Sequence, residues 1–433
     1  MRWDVVAAPP RSIYVHVPFC RRRCFYCDFP VSVVGDKPIA SRTAEYIDLL
    51  LDELSWLEKG KPLASCYIGG GTPSLVAPSE IARLLDAIDE RLGLAGDAEV
   101  TLEADPGTFD SKKLDAYVDA GVTRLSLGVQ SFCDAELEAS GRAHTADDAR
   151  DALEIASSRR LAHGFSIDLI SGLPGQTLDS WRATLREAVD ATPAHVSVYD
   201  LQIQGGTAFA RWYGRDRGVL FADDDEDQVF VPRHDRPPLP TEDEAAQMYV
   251  EASTVLRDAG FDHYEISSFA ATRRSAHNAR YWVPGASWHA LGVGATSAHA
   301  RPRAKYPSAF RFSRPRTLRD YRAYVHNGPR HPPSRDDDDD DDDDDVLGAV
   351  ADDVLTSLRT SQGLPLARVR AFAGADALAA VLRGSADARD QGLATIDAPP
   401  HPRARTYLRL ADPHGFLVSN TVIAAVFHEL SCL

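Results

Sequence analysis

The chain has 433 residues, a formal net charge of −17 and 44% hydrophobic residues, too long for one ordinary domain and apolar enough to fold. Asp336 to Asp345 hold ten of those charges, so the rest carries only −7 with no basic face, which argues against a nucleic-acid partner. No apolar run is long enough to span a membrane, and six cysteines, three of them clustered, fit a reducing compartment better than a disulfide scaffold.

In chain order, a short apolar strand comes first and runs into Cys20, Cys24 and Cys27, a C-x3-C-x2-C pattern within residues 14–29. Three thiolates this close suit an iron-sulfur cubane, which takes one soft ligand per iron. Zinc wants four ligands in paired spacing, and no second pair lies near. Cys66, Cys133 and Cys432 are scattered and read as small hydrophobes. The thirteen residues before the first strand are too few for a signal or transit peptide, though they could be the stump of one.

Residues 40–58 place Tyr46, Leu49, Leu50, Leu54 and Leu57 at helical spacing. The next strand, near 65–68, ends in Gly69-Gly70-Gly71-Thr72-Pro73. From there the pattern alternates: strand 98–103, helix 110–119, strand 122–129, helix 145–158, strand 165–170, helix 177–190, strand 195–202. Strands separated by helices predict an α/β fold with a parallel sheet and right-handed crossovers. Ligand groups of such barrels gather at the C-terminal strand ends. There the chain places the cysteine loop, the glycines, Glu103, Gln130, Asp168 and Gln202 in succession. Residues 219–240, with Asp223 to Asp227, read as an acidic inserted loop, and Thr241 with Glu244 as a capping box opening helix 241–258. Residues 263–299 hold His277-Asn278-Ala279-Arg280-Tyr281-Trp282 and the lesser candidates His263, Glu265, His289 and His299. The arginines 301, 303, 311, 314 and 316 read as anion contacts or solvated surface, and Arg21 to Arg23 as facing an acidic partner or tuning a cluster. The acidic run within 331–345 reads as a disordered linker. Beyond it, 346–433 reads as a small, mainly α C-terminal domain: helix 346–360, a loop at 363–365, helix 366–373, a hairpin in YLRLADPHGFLVSN and a terminal helix.

The cysteine loop, with Tyr14, His16, Pro18, Phe19, Tyr26 and Asp28 around it, resembles the radical S-adenosylmethionine (SAM) enzymes of the HemN/HemW group. That resemblance covers nearly the whole chain apart from the acidic insertions. It implies a partial (β/α)6 barrel within 1–218, a family extension over 241–330, and a [4Fe-4S] cluster on Cys20, Cys24 and Cys27. SAM would meet the cluster's open iron and be contacted by Tyr14, Tyr26, Gly70, Gly71, Thr72, Glu103, Gln130, Arg142 and Asp168. The glycines alone would read as a tight turn; after the cysteine motif they resemble the segment that holds the SAM amino group. His277, Tyr281 and Trp282 match an H-N-x-x-Y-W signature associated with heme. A lone histidine in a packed loop otherwise reads as a backbone hydrogen bonder. Gln204 departs from the family pattern, which commonly has glutamate there.

Two functions of different kinds remain. One is a heme chaperone that passes heme to acceptor hemoproteins, membrane-associated respiratory enzymes among the candidates. The other is an oxygen-independent coproporphyrinogen III oxidase. The oxidases carry a further cysteine two residues after the third, and here that position is Phe29. Their N-terminal extension is also largely missing, and both features favour the chaperone. A radical enzyme on another substrate is the third reading. The cytoplasm is the default compartment, with a mitochondrial or plastid matrix left open.

Overall fold

The computed structural model describes residues 10–36, 40–214, 236–301, 304–328, 346–397 and 406–433. Asp336 to Asp345, Asp223 to Asp227 and Arg303 lie outside them. Strand β1 (Ser12–Val17) rises into the cysteine loop, where the short β2 (Phe19–Cys20) and β3 (Ser32–Val33) pair. Then come α1 (Ala40–Leu54), β4 (Leu63–Gly70), α2 (Pro78–Leu92), β5 (Leu94–Ala104), α3 (Ser111–Asp119) and β6 (Arg124–Gln130). After the short α4 (Asp134–Ala139) follow α5 (Ala146–Ser157), β7 (Phe165–Ser171), α6 (Leu178–Asp190) and β8 (His195–Asp200). The expected strands and helices are present with ends shifted by a few residues. Helix α2, which the periodicity reading leaves out, opens with a proline in its first turn and ends at Gly93 in a positive-φ conformation, two ordinary boundary signals.

The strands β1, β4, β5, β6, β7 and β8 lie side by side and all run parallel, the α/β arrangement that the alternation predicts. Because successive strand residues point to opposite faces, Ile13, Val15, Ile68, Val100, Leu102, Leu125, Leu127, Ile167 and Val196 pack against the helices in one core. The alternate residues face the barrel interior. They are polar: Ser12, Tyr14, Ser65, Tyr67, Glu99, Glu103, Ser126, Ser166, Asp168 and Ser197. Ser65 donates to Ser12 at 2.9 Å, and Ser126 meets Ser166 at 2.8 Å.

The segment after β8 widens this sheet at both edges. It contains α7 (Ala208–Tyr213), α8 (Glu242–Asp258), β9 (Asp262–Glu265), β10 (Ser268–Ala270), α9 (Ala276–Tyr281), β11 (His289–Leu291), β12 (Thr296–Ala300), β13 (Ala309–Ser313) and α10 (Leu318–His326). The expected Thr241–Glu244 capping box opens α8. β10 and β9 extend the sheet beyond β8, while β11 lies parallel beside β1. Glu53 of α1 fixes that second edge. Its carboxylate, 2% exposed, accepts from Arg314 at 2.7 Å, Tyr321 at 2.6 Å and the Gly292 amide at 3.0 Å. In the sequence Glu53 looks like a solvated helix residue; only the fold supplies its partners.

A second core belongs to the C-terminal part: α11 (Val346–Ser357), β14 (Leu364–Pro365), α12 (Leu366–Gly384), α13 (Ala386–Asp390), β15 (Ala394–Asp397), β16 (Tyr407–Leu410), α14 (His414–Leu417) and α15 (Ser419–Ser431). The hairpin expected within 407–420 does not form. Only Tyr407–Leu410 is extended, and it pairs with β14 and β15, which precede it in the chain. Beyond Pro413 the buried residues Phe416, Val422, Ile423, Val426 and Leu430 follow helical spacing and pack into this core. No described helix is long and apolar enough to cross a membrane.

Candidate cofactor site

A cavity of about 370 Å³ opens at the C-terminal ends of the parallel strands. Cys20, Cys24, Tyr26, Cys27, Gly70, Gly71, Thr72, Glu103, Gln130, Arg142 and Asp168 all line it. Every predicted SAM or cluster residue except Tyr14 is thus in one wall. Tyr14 stands on the inward face of β1 but outside the lining, its hydroxyl 3.1 Å from His16 Nδ1 and its ring stacked on Tyr67. Its ring partner Tyr67 does line the cavity.

The glycines are set by their neighbours. A Cβ on Gly71 would lie 2.7 Å from the Phe19 carbonyl oxygen and 2.9 Å from Cys20 Sγ, and one on Gly69 would meet the Glu103 carboxyl at 2.9 Å. Gly70 adopts φ +115, and its amide donates to Glu103 Oε2 at 2.8 Å. Only residues without side chains let the cysteine loop and Glu103 come this close. Glu103 also accepts from the Tyr67 hydroxyl at 2.8 Å. Burial lifts its carboxyl to about 7, against the pull of those two donors. Burial raises Asp168 as well, opposed by Ser197, Arg124 and Ser126. Gln130 ends β6 with φ +67, a conformation that costs a non-glycine residue and persists where the surroundings hold it, as at ligand sites.

Arg142 is fully engaged on one side. Its Nη2 donates to Asp105 at 2.6 Å and to the Gly128 carbonyl at 2.8 Å, and its Nη1 reaches Cys24 Sγ at 3.3 Å and the Tyr26 hydroxyl at 3.4 Å. The guanidinium thus ties the cysteine loop to β5 and β6, and its buried Nε has no partner. Asp105, which accepts from Thr72 at 3.2 Å as well, is a residue that sequence reading missed. The signal was there: it stands two residues after Glu103, directly past the C-terminal end of β5, where the ligand groups of a parallel sheet gather.

The donor set fits an iron-sulfur cluster. The three sulfurs line one cavity, and burial pushes the Cys20 thiol to about 12 and the Cys27 thiol to about 11. Buried thiolates need a metal's positive charge, which these residues are placed to receive. Among the described residues no three His, Cys, Asp or Glu side chains gather as a single ion requires. A cubane does not require it, because each thiolate takes a different iron.

The H-N-x-x-Y-W residues lie apart from the cavity, at the barrel base. Glu99, 2% exposed, caps α9 by accepting from the Ser275 hydroxyl and from the amides of Ala276 and His277 at 3.0–3.1 Å. His277 is 1% exposed, with Nδ1 3.0 Å from Ser65 Oγ and Nε2 2.9 Å from the Tyr281 hydroxyl. Burial lowers its pKa to about 3. Both ring nitrogens are thus engaged in hydrogen bonds within the barrel base. Tyr281 packs edge-on against Trp288, and Trp282 ends the helix half-buried. Gln204 is exposed and bonds Gln202, which lines the cavity.

A profile of the Radical SAM superfamily matches residues 14–188. The chain is 34% identical to the heme chaperone HemW of Synechocystis sp., over 97% of both chains. It is 35% identical to the heme chaperone HemW of Escherichia coli, over 67% of this chain and 71% of that one. The chain belongs to the HemW family. Its fold follows that of the coproporphyrinogen III oxidase HemN from E. coli, a radical SAM enzyme, with a TM-score of 0.71 at 22% identity over 98% of this chain and 92% of that one. At that identity the likeness speaks to the fold alone, and it places this HemW-family chain on the radical SAM barrel. Tyr199 and Asp200, at the mouth of the same cavity, were also missed in the sequence; they close β8, the position where the other strands carry their ligand groups.

Proposed function

We propose that the chain is a heme chaperone: it takes up heme and passes it to acceptor hemoproteins, with a [4Fe-4S] cluster and SAM bound in the barrel mouth. The observation that carries the reading is the end-to-end similarity to HemW relatives, which a shared barrel alone would not give. Phe29 supports it, standing 56% exposed at the cavity rim where the resembled oxidases have a further cysteine.

Cys20, Cys24 and Cys27 would hold the cluster, and its bound form supplies one-electron chemistry toward the SAM sulfonium. Glu103 would accept from the ribose hydroxyls. Gly70, Gly71 and Thr72 would present backbone to the SAM amino group, and Gln130 and Asp168 would offer acceptors from the cavity wall. Arg142 holds the cysteine loop at a fixed distance from Asp105, and Tyr26 closes the loop over it.

The test is one preparation measured in two ways. Anaerobically reconstituted protein is titrated with hemin and mixed with an apo-hemoprotein, and separately incubated with SAM, a low-potential reductant and coproporphyrinogen III. Heme transfer without decarboxylated product is the expected result. Vinyl-bearing product would overturn the chaperone reading in favour of the oxidase.

A further inference from the structure

The outer face of the cysteine loop carries charge that the chain leaves unbalanced. Arg22 and Arg23 stand exposed between Cys20 and Cys24, and the exposed Arg316 reaches the same loop, donating to the Asp28 carbonyl at 2.7 Å. Arg23 donates to the Cys27 carbonyl at 3.1 Å. Among the described residues none of these three guanidiniums pairs with a carboxylate, whereas on the outer helices Arg83, Arg150 and Arg182 each do. Arg21 is not one of the set, for it donates to the Pro106 carbonyl at 2.8 Å. Two large apolar side chains are exposed on the same loop. Phe29, two residues beyond Cys27, is 56% exposed, and Val33, paired with Cys20 across β2 and β3, is 53% exposed.

Apolar side chains among arginines are the composition of a protein interface, and the surroundings say what kind of protein. The chain is acidic overall, so an acidic partner is repelled elsewhere and steered to this loop. The loop bears the three cysteines, so a partner seated on it lies beside the cluster they would hold. One-electron chemistry there needs an electron from somewhere. The other cysteines cannot supply it: Cys66 is buried in β4, Cys133 precedes α4 and Cys432 is exposed at the C-terminal end, too scattered for a second cluster or a dithiol. A small anion would satisfy the arginines and leave Phe29 and Val33 bare, whereas a protein face covers all five side chains.

Resting on the reading of the barrel mouth as a cluster site, we propose that the outer face of the cysteine loop is the docking surface for an acidic one-electron carrier protein of the flavin or iron-sulfur kind. The carrier's carboxylates meet Arg22, Arg23 and Arg316, and its apolar edge covers Phe29 and Val33. The transfer moves one electron from the reduced carrier to the cluster and makes or breaks no bond. This surface gives Arg22 and Arg23 a role that the SAM contacts leave open.

The experiment uses the cluster-reconstituted full chain with an acidic flavodoxin as the probe, under anaerobic conditions. Wild type, Arg22→Glu, Arg316→Glu, the double variant of these two, Val33→Glu and the control Arg370→Glu, exposed on α12, are first matched in iron content. Wild type that holds no iron overturns the cluster reading and this proposal with it. Flavodoxin binding is then titrated at low and high salt. Loss of the cluster's visible absorbance is timed with reduced flavodoxin and with dithionite, which needs no docking. The double variant should associate about tenfold or more slowly at low salt, and each single variant should lose less. Added salt should slow wild type toward the double variant. Val33→Glu should weaken binding at both salt concentrations, Arg370→Glu should match wild type, and dithionite should reduce every variant alike. An iron-replete double variant that flavodoxin binds and reduces as fast as wild type overturns the docking surface and leaves the cluster reading standing. So does iron-replete wild type that takes no flavodoxin, whether or not the same arginines bind phosphatidylglycerol vesicles or hemin.

Discussion

The two ends of the barrel use the same kinds of side chain for opposite purposes. At the C-terminal end Glu103, Asp168, Gln130 and the three cysteines line a cavity of about 370 Å³. At the base Glu99, Ser65, His277 and Tyr281 bond one another. Burial perturbs titratable groups at both ends, raising Glu103 to about 7 and lowering His277 to about 3. A perturbed group therefore marks a ligand site only where its polar atoms also face open space.

The sharpest way to break this contrast is to remove a thiol. Cys24→Ser should abolish the iron and visible absorbance of reconstituted protein while leaving the fold intact, since Cys24 bonds only Arg142 among the described side chains. Retained iron would refute the cluster assignment. At the base, His277→Ala should instead cost stability, about 2–4 kcal/mol from the lost packing and the orphaned Ser65 and Tyr281 partners, read by urea unfolding. The folded fraction should keep its heme affinity. Loss of heme binding without loss of stability would return the ligand role to His277.

Glu103→Gln tests the top end by pH. The folded carboxyl titrates near 7, above the ordinary 4.5. The native state therefore holds the proton more tightly than the unfolded chain, and this contribution to stability is complete below pH 4.5 and lost as pH rises through 7. Wild type should lose stability relative to Glu103→Gln across that window, and parallel curves would show that Glu103 is solvated. The smallest effect is expected at the rim. Phe29→Ser removes an exposed side chain and should change stability by under about 0.5 kcal/mol, so any larger change in heme transfer would report on function alone.

Much of this was legible in the sequence. Alternating periods of two and 3.6 residues marked the barrel strands and most of its helices. The C-x3-C-x2-C spacing, the glycines and the polar residues closing each strand marked the cavity. What stayed hidden depends on contacts between distant segments. Residues 407–420 alternate well enough for a hairpin, but β16 finds its partners earlier in the chain, at β14 and β15. Glu53 shows no sign of its burial until Arg314 and Tyr321 arrive from more than 250 positions away.

By itself, then, the sequence determined most element types in the barrel, the parallel order of its strands and the donor atoms at its mouth, because these follow from local periodicity and from residues placed at strand ends. Only the tertiary structure decided which histidines are occupied. Whether an imidazole is engaged depends on the neighbours packed around it, and for His277 those neighbours come from a strand and a helix far apart in the chain.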